Sequence, residues 1–331
     1  MRRPRFAGLL LGLLVLTVLA WAPPAAAAPP SKCLVINDAL NANYTSLQAA
    51  QDAASPGATL WVRGTCTGTT EITKNLALTG QQPRGFTAPT LNGGGQGSVL
   101  TIDSGVTVTI NTLTITGGSG TNIEGGTYGG GINNFEGSVT LNGTSVTGNT
   151  AGANGGGILQ RGGSVTLNGT SSISGNTAGG DSAGILNIAG SVTLNDSSSI
   201  TRNTAAGGGG GGGIGNNTGT VTLNDSSSIT DNTASNGGGI VNLAGSVTLN
   251  DSSSISGNTA GTVGGGINNL FGTVTLNNST TITGNTAGTD GGGIYNDFTF
   301  GGSVTLNDTS SISGNNPNNC APPGSVPGCT G

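Results

Sequence analysis

Few residues of this chain could do chemistry. Of 331 residues, 14 are acidic, 9 are basic and none is histidine. That removes the usual general base near neutral pH and the commonest metal ligand. The acidic side chains that recur in a pattern are Asp196, Asp225 and Asp251, with Asp308 further on, each directly after an asparagine. On consecutive turns of a repeating structure they would stack about 4.8 Å apart. Carboxylates so close repel, and a Ca²⁺ ion would relieve the repulsion. An Asn-Asp turn with solvent-screened charges needs no metal and is the simpler explanation. Lyases and hydrolases acting on polysaccharides need clustered carboxylates beside an Arg, Lys or His. Only Arg202 lies near the rank in sequence, and it has no repeat. No catalytic residue is assigned, and Ca²⁺ is the only cofactor the pattern suggests.

Hydroxyls form the second pattern. Seven times a Ser or Thr is followed two residues later by Thr, as in Ser164/Thr166, Ser191/Thr193, Thr220/Thr222, Ser246/Thr248 and Thr273/Thr275. Two flat ranks of small hydroxyls about 7 Å apart would suit ordered water or a glycan. Thr166, Thr193, Thr222, Thr248 and Thr275 are therefore the candidate ligand-facing rank. Ser and Thr also simply suit an exposed strand, and the Ser-Ile-Ser segments share the habit at Ser254/Ser256 and Thr281/Thr283. The glycine run Gly207–Gly213 matches a phosphate loop only trivially, since no lysine lies beyond Lys74. Asn-x-Ser/Thr triplets such as Asn168-Gly169-Thr170 are read as structural rather than as glycosylation acceptors.

A repeat must position these groups. Seven copies run from Gly129 to Asn315, each reading Gly-Gly-Gly-Ile, Gly-Ser-Val-Thr-Leu-Asn and Ser-Ser-Ile-Ser-Gly-Asn-Thr-Ala in its commonest form. Leu141, Leu167, Leu194, Leu223, Leu249, Leu276 and Leu306 are separated by 26, 27, 29, 26, 27 and 30 residues. One coil is thus about 27 residues, too short for a propeller blade and without room for a helix. Ser-Val-Thr-Leu alternates with period two, the mark of a half-buried strand. Ser-Ile-Ser and Gly-Ile supply two more. The predicted fold is all-β: a right-handed parallel β-helix, a solenoid with three short strands per coil of about 27 residues and an N-terminal helical cap.

Three asparagine ranks support a triangular coil. The first is Asn142, Asn168, Asn195, Asn224, Asn250, Asn277 and Asn307; the second runs from Asn149 to Asn315. The third is Asn134, Gln160, Asn187, Asn216, Asn242, Asn269 and Asn296. Asparagine tolerates left-handed corners and can stack amide on amide. On that basis Asn250→Leu is expected to cost more stability than Ser253→Leu.

The ends read differently. Residues 1–28 carry Arg2, Arg3, Arg5, an apolar Leu9–Ala20 stretch and small residues at Ala25–Ala28, a secretory signal peptide. The expected layout is a β-helix domain over 29–315: a cap and irregular first coils at 29–98, a transitional coil at 99–128 and regular coils at 129–315. A disulfide-closed tail follows at 316–331. Tyr44–Ala54 has helical periodicity, while Leu60–Val62, Ile72–Leu78, Val99–Ile102, Val106–Ile110 and Leu113–Ile115 read as strands. Export favours disulfides; Cys33 with Cys66 and Cys320 with Cys329 is the simplest of three pairings. Losing the leader's arginines leaves six basic residues against 14 acidic ones. Such a surface disfavours nucleic acid and anionic membranes, and no transmembrane segment is expected after signal removal.

Ile255–Ala260 followed by Gly264–Ile267 resembles the repeats of chlamydial polymorphic outer-membrane proteins, which pair a Gly-Gly-Ala-Ile-type motif with Phe-x-x-Asn. Here Ile or Val stands for the Phe, and glycine for the alanine. The stretch from Tyr44 to Ala50, through Pro56-Gly57-Ala58 to Leu76–Gly80, resembles the opening of pectate-lyase-like proteins. Both resemblances imply a right-handed parallel β-helix; their functions range over lyases, adhesins and secreted proteins. The expectation is a secreted, non-catalytic scaffold, envelope-associated or adhesive, contacting cell-envelope or extracellular polysaccharide through its hydroxyl faces. The alternatives are a Ca²⁺-dependent polysaccharide lyase or glycoside hydrolase and, on its similarity to the Thr-x-Thr arrays of β-helical ice-binding proteins, an ice-binding protein. The sequence does not determine the oligomeric state.

Overall fold

A computed structural model of the chain describes residues 32–329. The signal-peptide assignment at 1–28 lies outside the described residues. The described chain is an all-β parallel solenoid whose equivalent strands stack coil upon coil. Sheet A has 12 strands, parallel from Ala58–Arg63 to Ser303–Leu306, with the antiparallel pair Leu34–Asn37 and Ala42–Tyr44 at its N-terminal edge. Sheet B has 10 strands, from Thr65–Thr67 to Ser311–Ser313, and sheet C has 10, from Thr70–Ile72 to Cys320–Ala321. A narrow fourth sheet of six two-residue strands, Thr150–Ala151 to Thr286–Ala287, adds to the three expected. Its Ala178, Ala205 and Ala234 pack with Ala183 in a small cluster of their own.

Register follows the repeat. Val192 pairs with Val221 and Leu194 with Leu223, so every inward residue lands on its own kind. Each coil contributes four aliphatic columns: in one coil Ile214, Val221, Leu223 and Ile229 are essentially solvent-free. At about 1.5–3 kcal/mol for each buried side chain, this core disfavours any one-residue slip, which would turn the columns outward. The predicted strand Ile72–Leu78 is instead two: Thr70–Ile72 belongs to sheet C and Leu76–Gly80 to sheet A, with a corner between them.

All three asparagine ranks are ladders, but they do not occupy the left-handed corner positions. Those fall to their neighbours: Gly143, Gly169, Asp196, Asp225, Asp251, Asn278 and Asp308 follow the first rank, with φ between 54° and 65°. At the second corner the left-handed residue precedes the asparagine, as at Arg202 (φ 53°) and Asp231 (φ 56°). An amide that must reach the next coil needs a defined side-chain direction, so the turn itself is made one residue away.

The ladders also differ in polarity. In the buried second rank, both the backbone N–H and Nδ2 of Asn203 donate to Asn232 Oδ1, each at 3.0 Å. Nδ2 also donates to Ile173 O in the preceding coil at 3.0 Å. The third rank runs in the same direction, with Asn216 Nδ2 to Asn242 Oδ1 at 2.8 Å. The outer first rank runs the other way: Asn224 Nδ2 donates back to Asn195 Oδ1 at 2.8 Å. Two ladders therefore reach the C-terminal end as unsatisfied donors, and the tail meets both. Asn315 donates to Asn319 Oδ1 at 3.1 Å, and Asn296 Nδ2 to Ser325 O at 2.8 Å.

The third ladder has one break. Gln160 is too long for the rank; its Nε2 turns to Gly162 O, and Asn187 Oδ1 is left buried without a donor. At the N-terminal end helix α1 (Leu47–Ala53) is capped by Ser46, whose hydroxyl accepts from Ala49 N at 3.2 Å. Leu47 and Ala50 face the first strands. Cys33–Cys66 and Cys320–Cys329 are the disulfides.

Candidate functional site

The strands of sheet A alternate, so Val and Leu go in while Ser/Thr, Thr and Asn go out. Thr166, Thr193, Thr222, Thr248 and Thr275 lie in one half-buried column, each paired in register with the next. The column continues through Thr140 to Thr109, ahead of the regular repeats. Beside it run the first Ser/Thr column and, on the other side, the outer asparagine ladder, which likewise begins at Asn111. Over eight coils, a length of about 34 Å, every outward side chain of this sheet is Ser, Thr or Asn.

The columns differ in what they leave available. Ser138 and Ser164 share a hydrogen bond of 2.8 Å, and the ladder amides bond to one another. The Thr hydroxyls of the middle column have no protein partner among the described residues. On sheet B the matching hydroxyls are partly spent on each other, as in Ser174–Thr147 at 3.3 Å and Thr230–Thr201 at 3.2 Å. The two hydroxyl faces are therefore not equivalent, and the sheet A face holds more unpaired hydrogen-bonding capacity.

The aspartate rank rims this face at the left-handed corner. Asp196 Oδ2 accepts from Gly169 N at 2.7 Å, Asp225 Oδ2 from Asp196 N at 2.9 Å and Asp251 Oδ2 from Asp225 N at 3.2 Å. Each carboxylate thus satisfies a corner N–H of the preceding coil, which accounts for the residue type at this position. Asn278 continues the bonding and interrupts the charge, since its Oδ1 accepts from Asp251 N at 3.2 Å. Among the described residues no group of three or more His, Cys, Asp or Glu is placed to hold a metal ion. Arg202 lies at the opposite end of the sheet B strand Ser199–Thr201, in a column with Asp231 rather than with the aspartate rank.

Sheet C presents a second feature. Its inward column is isoleucine, but its outward positions carry Leu186, Ile188, Val241, Leu243 and Leu270 where sheets A and B carry hydroxyls. These line a trough of about 470 Å³. Between the coils that carry Leu186 and Val241 this column has Gly215, where Ser182 Oγ packs against the backbone in the place a Cβ would take. Arg161 lies among the lining residues, its guanidinium 5.6 Å from the centroid of the Phe135 ring.

Sequence reasoning found the hydroxyl face and the aspartate rank but missed the trough. The signal was present: in Ile-Leu and Ile-Val, period two requires one residue of each pair to face outward. It also missed a buried hydroxyl rank. Ser171, Ser198, Ser227, Ser253 and Thr280 are fully buried. No family model, no curated protein and no solved structure matches the chain.

Proposed function

We propose that this protein is an exported, non-catalytic β-solenoid scaffold that contacts extracellular or cell-envelope polysaccharide through the outer face of sheet A. The observation that carries the proposal is the unpartnered Thr column, set between a Ser/Thr column and an amide ladder on an uncharged face about 34 Å long. A neutral polysaccharide is a repeating ladder of hydroxyls, and neutral donors and acceptors at fixed spacing complement it with no ionic requirement. An envelope-associated or adhesive role is the one such a face would serve.

The test is co-sedimentation with insoluble polysaccharides with and without Ca²⁺. Binding that persists in a chelator and is lost in Thr222→Tyr supports the proposal; no binding to any polysaccharide or cell surface refutes it. Sugar released from pectin, alginate or hyaluronan, and abolished by Asp225→Ala, would favour the Ca²⁺-dependent lyase or hydrolase instead. The same flat Thr column also supports an ice-binding reading, for which thermal hysteresis lost in Thr222→Tyr is the test.

A further inference from the structure

We infer that the trough on sheet C is a binding site for a free long-chain fatty acid, with the acyl chain along the solenoid axis and the carboxylate at Arg161. Shape is the first argument. The lining residues come from successive coils, from Arg161 through Ile188, Asn217 and Leu243 to Leu270. Four coil steps of about 4.8 Å make a channel about 19 Å long. With a volume of about 470 Å³, it is in the range of ligand sites and suits one extended, unbranched chain.

Composition is the second argument. The outward positions of the other two large sheets are almost wholly polar, so an apolar stripe with Leu243 at 36% exposure stands apart from the rest of the repeat. The stripe lies on interior strands already paired on both sides, so an incoming peptide finds no sheet edge to extend.

Charge is the third argument. Beyond Arg84 the chain has only two basic residues, and Arg161 is one of them. It makes no ion pair among the described residues, and its packing on Phe135 holds the fork at the trough. A guanidinium so placed suits a carboxylate. The acid in the lining, Asp181, is tied to the trough wall, its Oδ1 accepting from Gly209 N at 2.7 Å. The site is on a different sheet from the polysaccharide face, so either assignment can fail without the other.

Calorimetric titration of the full chain with palmitate, below its micellar concentration, tests the proposal, with hexadecanol as the uncharged control. The expected result is saturable one-to-one binding of palmitate. Arg161→Gln should weaken palmitate at least about tenfold while leaving hexadecanol unchanged. Val241→Tyr should abolish both, and because Tyr295 already occupies this column two coils on, the coil has a precedent for the larger ring. Circular dichroism confirms that each variant folds. Absence of palmitate binding overturns the proposal, as does binding that survives Val241→Tyr or an Arg161→Gln loss shared equally by acid and alcohol. A wild-type dimer that Val241→Tyr converts to monomer, with no palmitate bound, would assign the stripe to a second copy instead.

Discussion

The outer asparagine ladder on sheet A and the buried ladder of the second rank use the same side chain at the same period, yet they do different work. In the buried ladder an asparagine such as Asn203 makes three bonds as donor and accepts two from Asn176, and none of these groups can reach water. In the outer ladder the Asn224 backbone N–H goes to Leu194 O rather than to the ladder, its side chain gives one bond and receives one from Asn250, and it remains half-buried at the surface. Loss of a partner inside leaves a stranded polar group; loss outside leaves one that water can satisfy. The inner ladders therefore hold the coils in register. The outer one is part of a surface available for contact.

That contrast can be broken by substitution. The largest effect is expected for Asn232→Leu, which removes the acceptor for two Asn203 donors and should cost about 3–5 kcal/mol in urea unfolding. Next is Ser253→Leu, at about 1–3 kcal/mol, because Ser253 is fully buried and a larger side chain overpacks the corner. Asn250→Leu, on the outer ladder, should cost about 1 kcal/mol or less. This reverses the order expected from sequence, which ranked Asn250→Leu as the costlier change. Gln160→Asn should raise stability by about 1 kcal/mol, since it offers Asn187 Oδ1 the donor it lacks. A loss on Gln160→Asn would show that the interior has adapted to the longer amide.

Much of this was legible because the repeat averages out accident. Seven leucines at nearly constant spacing define the coil, and Val-Thr-Leu states which residues face in. The aspartates were visible as a rank, though their bonding was not. A carboxylate that accepts a backbone N–H from the preceding coil looks, in sequence, like any turn aspartate. Ladder polarity was hidden for a related reason, because an amide donates and accepts equally well until its corner conformation is known. The burial of Ser253 was legible too, since period two counted back from Ile255 turns it inward, but its small polar side chain does not mark a core position by type. The trough escaped because Leu186 and Val241 resemble core residues by type and differ from them only in direction.

The central claim is that the sheet A face serves contact rather than stability, and Thr222 tests it most directly. Its hydroxyl has no protein partner and its column is half-buried on the outer face. A glycan array probed with wild type and Thr222→Tyr, with and without Ca²⁺ and alongside urea unfolding, separates the two roles. The account predicts Ca²⁺-independent glycan binding by the wild type that Thr222→Tyr abolishes, with stability unchanged within about 0.5 kcal/mol. Equal glycan binding by both proteins, or a large loss of stability in Thr222→Tyr, would contradict it.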